Sequence, residues 1–178
     1  MRLLLCTSYS RSAAGRYDVV GMSSPIDDLD ARLIAHLAGS PRAGVMDLAR
    51  SLGVARGTAQ ARLDKLVARG VITGFGPDVD PVALGYTVTA FTTLEIAQGR
   101  LADVVEHLRA IPEVLEAHAI TGPGDLHARL VARTNRHLQD VINRVLEVQG
   151  INRATTQIVL SEQIGSRVLP LVASAGEI

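Results

Sequence analysis

Cysteine is almost missing: Cys6 is alone among 178 residues. One thiol builds neither an internal disulfide framework nor a cysteine-rich zinc site, and it suits a reducing cytoplasm, the expected location. Tryptophan is absent and aromatic residues make up 3%. That is too few for the stacking platforms that hold single-stranded nucleic acid or RNA. No run approaches the roughly 18 apolar residues of a membrane span. The opening Met1-Arg2-Leu3-Leu4-Leu5-Cys6 is broken at once by Thr7-Ser8-Tyr9-Ser10-Arg11, well short of the about 7–15 apolar residues of a secretory signal core. Nucleophile elbows, phosphate-binding glycine loops and defensible carboxylate pairs are missing too. Gly122-Pro123-Gly124 lacks a third glycine and lies between two strand-like runs, so it reads as a hairpin turn rather than a dinucleotide loop. The chain does not read as an enzyme and calls for no cofactor.

What is present is an ordinary globular composition, 47% hydrophobic and 20% charged, with a formal net charge of zero. The zero hides an asymmetry. Between Pro41 and Gly76, Arg42, Arg50, Arg56, Arg62, Lys65 and Arg69 outnumber Asp47 and Asp64 by four. From Pro77 onward acidic residues outnumber basic ones by four. A basic block before an acidic block suggests one part that meets phosphate and one that does not. Residues 1–22 lack periodicity and are expected as a disordered tail or a gene-model extension, with Met22 an alternative start.

Residues 23–76 read as a helical domain. Ile26, Leu29, Leu33, Ile34 and Leu37 recur at helical spacing behind Asp27, Asp28 and Asp30, which favour a helix N-terminus. Gly39-Ser40-Pro41 stops this helix. A second helix turns Val45, Leu48, Ala49 and Leu52 inward and ends at Gly53; a third runs to about Arg69 before Gly70. Two helices joined by a short turn containing Gly form a helix-turn-helix pattern. A wheel of the third helix puts Ala59, Leu63, Leu66 and Val67 on the core side. Gly57, Thr58, Ala61 and Lys65 fall opposite, flanked by Arg62 and Arg69. Small residues let a helix backbone sit deep in a major groove while flanking cations reach phosphates. Arg56 and Gln60 are the plausible readers of base edges. A plain three-helix bundle with a solvated basic face remains the alternative. Val71-Ile72-Thr73-Gly74-Phe75-Gly76-Pro77 reads as a β-hairpin wing.

After a linker over residues 77–86, residues 87–165 change character. Strand-like Thr87 to Ile96 leads to a helix carrying Leu101, Val104, Val105, Leu108 and Ile111, stopped by Pro112. Strands over Val114 to Thr121 and Leu126 to Arg133 flank the turn Gly122-Pro123-Gly124-Asp125. A helix with Leu138, Val141, Ile142 and Val145 and a strand over Ala154 to Ser161 complete a β-α-β-β-α-β order. That order is the ferredoxin-like α+β arrangement, a four-stranded antiparallel sheet with both helices on one face. Its open face is expected to carry many Val, Ala, Leu and Ile residues and so to be covered by oligomerisation. Residues 166–178 are expected as a tail.

The span from Leu29 to about Gly165 resembles the leucine-responsive and asparagine-responsive regulators, the Lrp/AsnC family. The resemblance is carried by Leu29-Asp30-Ala31-Arg32-Leu33-Ile34, Leu48-Ala49, Gly53-Val54, Arg62, Leu63, Leu66 and Gly70-Val71-Ile72-Thr73-Gly74-Phe75. In the second domain it rests on Thr121-Gly122-Pro123-Gly124-Asp125 and Gly150-Ile151. It implies dimers that often assemble into octamers, bind double-stranded promoter DNA, and respond to an amino acid or related metabolite. The DNA-binding set is then Arg56, Gly57, Thr58, Gln60, Ala61, Arg62, Lys65 and Arg69. The effector set, between protomers, is Thr121, Gly122, Gly124, Asp125 and His127. His127 stands where many relatives have an aromatic, and Arg56 where many have Pro.

Three alternatives stay open. A nucleoid-structuring protein with little effector response would also use a recognition helix short of base-reading side chains. A ferredoxin-like enzyme is conceivable because that fold hosts many activities. A metal sensor would use His118 and His127 flanking the turn, near Asp125, without a third strong ligand at a recognised spacing. His36 and His107 are expected on solvated helix faces.

Overall fold

A computed structural model describes residues 26–176; the expectations for residues 1–22 and the last two residues lie outside them. The chain forms two compact units. One runs up to Phe75 and resumes at Ser166, and the other is Gly76–Gly165.

In the first unit, α1 (Asp28–Gly39) begins with a capping box. The Asp30 N–H donates to Asp27 Oδ1 at 2.8 Å, satisfying one of the otherwise unpaired N–H groups of a helix start. α2 (Val45–Leu52) ends at Gly53, whose φ of 69° turns the chain at once toward α3 (Arg56–Ala68). Leu33, Leu48, Ala49, Leu52, Ala59 and Leu66 form the core, with Leu29, Leu37, Leu63 and Ile72 packed against it. Val67, expected inside, is 43% exposed.

The expected wing does not form: residues 71–80 contain no strand. The chain after Gly70 is spent on closing α3, because the N–H groups of Val71 and Ile72 both donate to Leu66 O (2.9 and 3.2 Å) and Ile72 joins the core. Gly74, Gly76 and Pro77 then offer little to a ladder, and an isolated two-stranded hairpin is marginal.

The C-terminal residues hold a helix, α6 (Leu169–Gly176), against α1. Ala31 points away from the Leu33 side of α1 and is nevertheless buried, which requires cover on that second face.

The second unit contains β1 (Val88–Ile96), α4 (Leu101–Arg109), β2 (Val114–Ala119), β3 (Leu126–Ala132), α5 (Asn135–Leu146) and β4 (Ile151–Ile158). The sheet order is β2-β3-β1-β4 and every pairing is antiparallel. This is the expected ferredoxin-like arrangement. Ala90 and Leu94 of β1 and Leu126, Ala128, Leu130 and Ala132 of β3 pack with Val104, Leu108, Leu138, Val141 and Val145 of the helices. Thr92 is buried among them and shares a hydrogen bond with Thr156 across the sheet, 3.0 Å.

The open face corrects the expectation of an apolar one. Strand alternation gives most of the aliphatic residues to the helix side, with Val131 opposite Thr89 the exception. The open side receives Phe91 opposite Arg129 and Gln157, Thr93 opposite His127 and Thr155, and Glu95 opposite Arg153. His36 and His107 are corrected too. His36 Nδ1 shares a hydrogen bond with Ser51 Oγ at 3.0 Å, tying α1 to α2. His107 Nε2 donates to Arg144 O at 2.7 Å, tying α4 to α5.

Candidate nucleic-acid interface and effector turn

α3 presents Arg56, Gly57, Thr58, Ala61 and Lys65 to solvent, with Gln60 and Arg69 half-buried at its flanks. Asp64 shares this outward face, and the wheel reading passed over it although it lies at helical spacing from Gly57 and Ala61. Its Oδ1 accepts from the Gln60 side-chain amide at 2.8 Å, so Gln60 must exchange that partner before it reads a base.

Arg62 departs from the expected phosphate role. Its guanidinium is half-buried and pairs with Asp27 and, at 3.0 Å, with Asp30, whose side chain is buried. The Arg62 hydrogen bond, then the Asp30 N–H, hold the Asp27 carboxyl below its ordinary range; the same two carboxylates raise Arg62. The helical position beside the core turns the fork toward the start of α1. A wheel alone cannot distinguish a phosphate outside from a carboxylate within.

At the other candidate site, Gly122 and Gly124 adopt φ of 107° and 102°, the region that side-chain-bearing residues avoid. A Cβ on Gly124 would stand 2.4 Å from Thr93 Cγ2. Asp125 shapes the turn from within. Its N–H donates to Leu94 O at 2.8 Å, and its Oδ2 accepts the Ile96 N–H at 2.6 Å, where the β1–β4 register shifts. Thr121 is exposed beside it. His127 belongs to the sheet face rather than the turn. Its Nδ1 meets Thr93 Oγ1 at 3.0 Å and its ring lies nearly parallel to Phe91, centroids 5.3 Å apart. His118 is its cross-strand partner, but the Asp125 carboxylate is engaged with β1. Among the described residues no group of three or more His, Cys, Asp or Glu is placed to hold a metal ion.

A second charged cluster was not singled out in the sequence. Glu113, largely buried, binds Arg144 Nη2 at 2.8 Å and His137 Nε2 at 3.3 Å through Oε1, while its buried Oε2 has no hydrogen-bond partner. Burial is the largest influence and opposes ionisation, but the Arg144 hydrogen bond, a backbone hydrogen bond and the nearby charges of Arg144 and His137 together outweigh it, and the carboxyl sits below its ordinary range. His137 and Arg144 lie two turns apart on α5, but Glu113 comes from the segment before β2, so no local pattern announces the carboxylate between them.

Comparison with known proteins agrees with this architecture. Residues 26–67 match the AsnC-type helix-turn-helix domain, and residues 89–169 match the Lrp/AsnC ligand binding domain. Regulatory protein AsnC of Escherichia coli is 32% identical over 147 residues, which are 82% of this chain and 97% of that one. HTH-type transcriptional regulator FL11 of Pyrococcus horikoshii is 28% identical over 150 residues, 84% of this chain and 99% of its own. The solved structure of E. coli AsnC superposes with a TM-score of 0.76 at 31% identity, covering 82% of this chain and 99% of that chain. These relatives are regulators of transcription rather than enzymes. With a relative above 30% identity matched along nearly its whole length and both halves of the fold accounted for, the chain belongs to the Lrp/AsnC family of transcriptional regulators.

Proposed function

We propose that the chain reads double-stranded promoter DNA with α3 and adjusts that binding, or its own assembly, to an amino acid or related small metabolite. The observation that carries the reading is the exposed face of α3 itself. Gly57, Thr58 and Ala61 allow close backbone approach, Arg56 and Gln60 flank it within reach of base edges, and Lys65 and Arg69 serve phosphates. Arg62 is withdrawn from that set because its guanidinium is committed to α1. The protein acts in the cytoplasm as a homodimer, or as an octamer built from dimers.

The effector is proposed at Thr121, Gly122, Gly124 and Asp125, with His127 on the adjoining sheet face. Two glycines with bare backbone suit a carboxylate, and the second oxygen of Asp125 would meet an ammonium group. Thermal melting against the amino acids tests this, since a ligand that binds only the folded state raises its stability. Asp125→Asn keeps an oxygen for the Ile96 N–H but removes the charge. It should leave the protein folded and abolish the shift; a normal shift would place the sensor elsewhere. Footprinting tests the first half: discrete protected sites support a regulator, whereas uniform coverage supports a nucleoid-structuring protein.

A further inference from the structure

We propose that Arg62 is a positioning residue that sets how accurately α3 reads DNA, acting through Asp27 and Asp30 of the α1 start and not through the phosphates. The inference rests on the proposal that α3 is the reading helix.

The packing of α3 on α1 is apolar around Leu33, Ala59 and Leu66. Apolar burial is non-directional, and against α1 Ala59 brings only a methyl group, so a directional contact adds to what the core supplies against rolling of α3. Arg62 supplies the missing direction. Its Nη1 is shared between two carboxylates that lie one turn apart, one exposed at the N-cap and one buried. A nitrogen held between two separated acceptors resists both roll and slide, and a lysine ammonium, one bond nearer its backbone, falls short of that point. The buried Asp30 adds rigidity, because its other contact is with the Asp27 backbone in the capping box.

A roll of about 20° moves a side-chain end lying ~5–6 Å from the helix axis by roughly 2 Å. Base-edge hydrogen bonds fade beyond about 3.2 Å, so a roll of that size costs base readout. Phosphate attraction changes little over the same distance and follows the salt slope. Losing the Arg62 contact should therefore reduce discrimination between sequences and leave sequence-independent affinity in place.

The test uses the full chain, a duplex selected by the wild-type protein from a random pool, and a scrambled duplex of equal length. Affinity is measured across a salt series for wild type, Arg62→Ala, Arg62→Lys and Asp27→Asn. Asp27→Asn keeps an N-cap and leaves α3 untouched, so it serves even if Arg62→Ala folds poorly. The expected result is a fall of about tenfold in the selected-to-scrambled ratio for Arg62→Ala and severalfold for the other two, with salt slopes unchanged. A phosphate contact predicts the reverse: a slope lower by about one for Arg62→Ala and wild-type behaviour for Arg62→Lys and Asp27→Asn, and that outcome overturns the inference. A wild-type protein that selects no duplex overturns the DNA-reading proposal itself, and this inference with it.

Discussion

Glu113 shows how one buried charge makes stability depend on pH. Its carboxylate is held by Arg144 and His137, and its folded value is lowered although burial is the largest influence, because the Arg144 and backbone hydrogen bonds and the charges of Arg144 and His137 together exceed it. A carboxyl with a lowered folded value contributes stability that is fully present above the ordinary Glu range. That stability is lost as pH falls through the folded value. Glu113→Gln should therefore destabilise the sheet unit at neutral pH and matter little in acid. The neutral loss should be about 1–2 kcal/mol, since Arg144 remains 39% exposed and partly screened. Thermal melts of both proteins between pH 7 and about pH 3 check this, and parallel curves would show that the pair contributes nothing. None of this was legible in the sequence. Arg62 is visible there but its partners Asp27 and Asp30 are not, because a cation at the edge of a helical stripe looks alike whether it faces a phosphate or a carboxylate.

Elements were legible wherever burial imposes a period. The stripes of α1, α4 and α5 follow the 3.6-residue repeat because each packs one face on a core. The wing failed because β-prone Val71 and Ile72 are recruited to close α3. α6 was missed because Leu169, Leu171 and Val172 show no polar opposite face to mark a helix. The turn before β3 is legible in the sequence because Gly-Pro-Gly-Asp admits few conformations, and its two glycines take positive φ. The structure ranks those two glycines. Gly122 has open space where a Cβ would go, whereas Gly124 faces Thr93 Cγ2 at 2.4 Å and Leu94 O at 3.3 Å. Thr93 cannot swing away without losing His127. Gly122→Ala should cost about 1 kcal/mol of dihedral strain, and Gly124→Ala about 2–3 kcal/mol because overlap is added. Denaturant titration of the two variants decides it, and equal costs would mean that the turn relaxes as a whole.

At the scale of the molecule, the chain leaves the helix-turn-helix unit at Phe75 and returns to it at Ser166, so the sheet unit is tethered at both ends. The fold leaves the sheet with one face uncovered by its own helices, and such a face is either solvated or covered by a partner. Phe91 lies in the central strand β1 on that face, half-buried against His127 and outside the helix-side core. Around it the register sets Arg129, Gln157, Thr93 and Glu95. This mixed surface fits a second copy with polar pairs around an aromatic centre better than it fits a purely apolar seam. In a twofold dimer each substitution enters twice, and an aspartate at the centre would set two unpaired carboxylates where water is excluded. If the proposed homodimer forms through this face, Phe91→Asp should shift it to monomer at micromolar concentration. Circular dichroism and the melting transition should still report a folded chain, because the helix-side core is untouched. A monomer cannot hold two half-sites at once, so affinity for a paired site should fall at least tenfold while a single half-site is bound as before. Sedimentation velocity gives the first reading and a two-site binding assay the second. A variant that sediments as the wild type does would mean that the protomers meet through another surface.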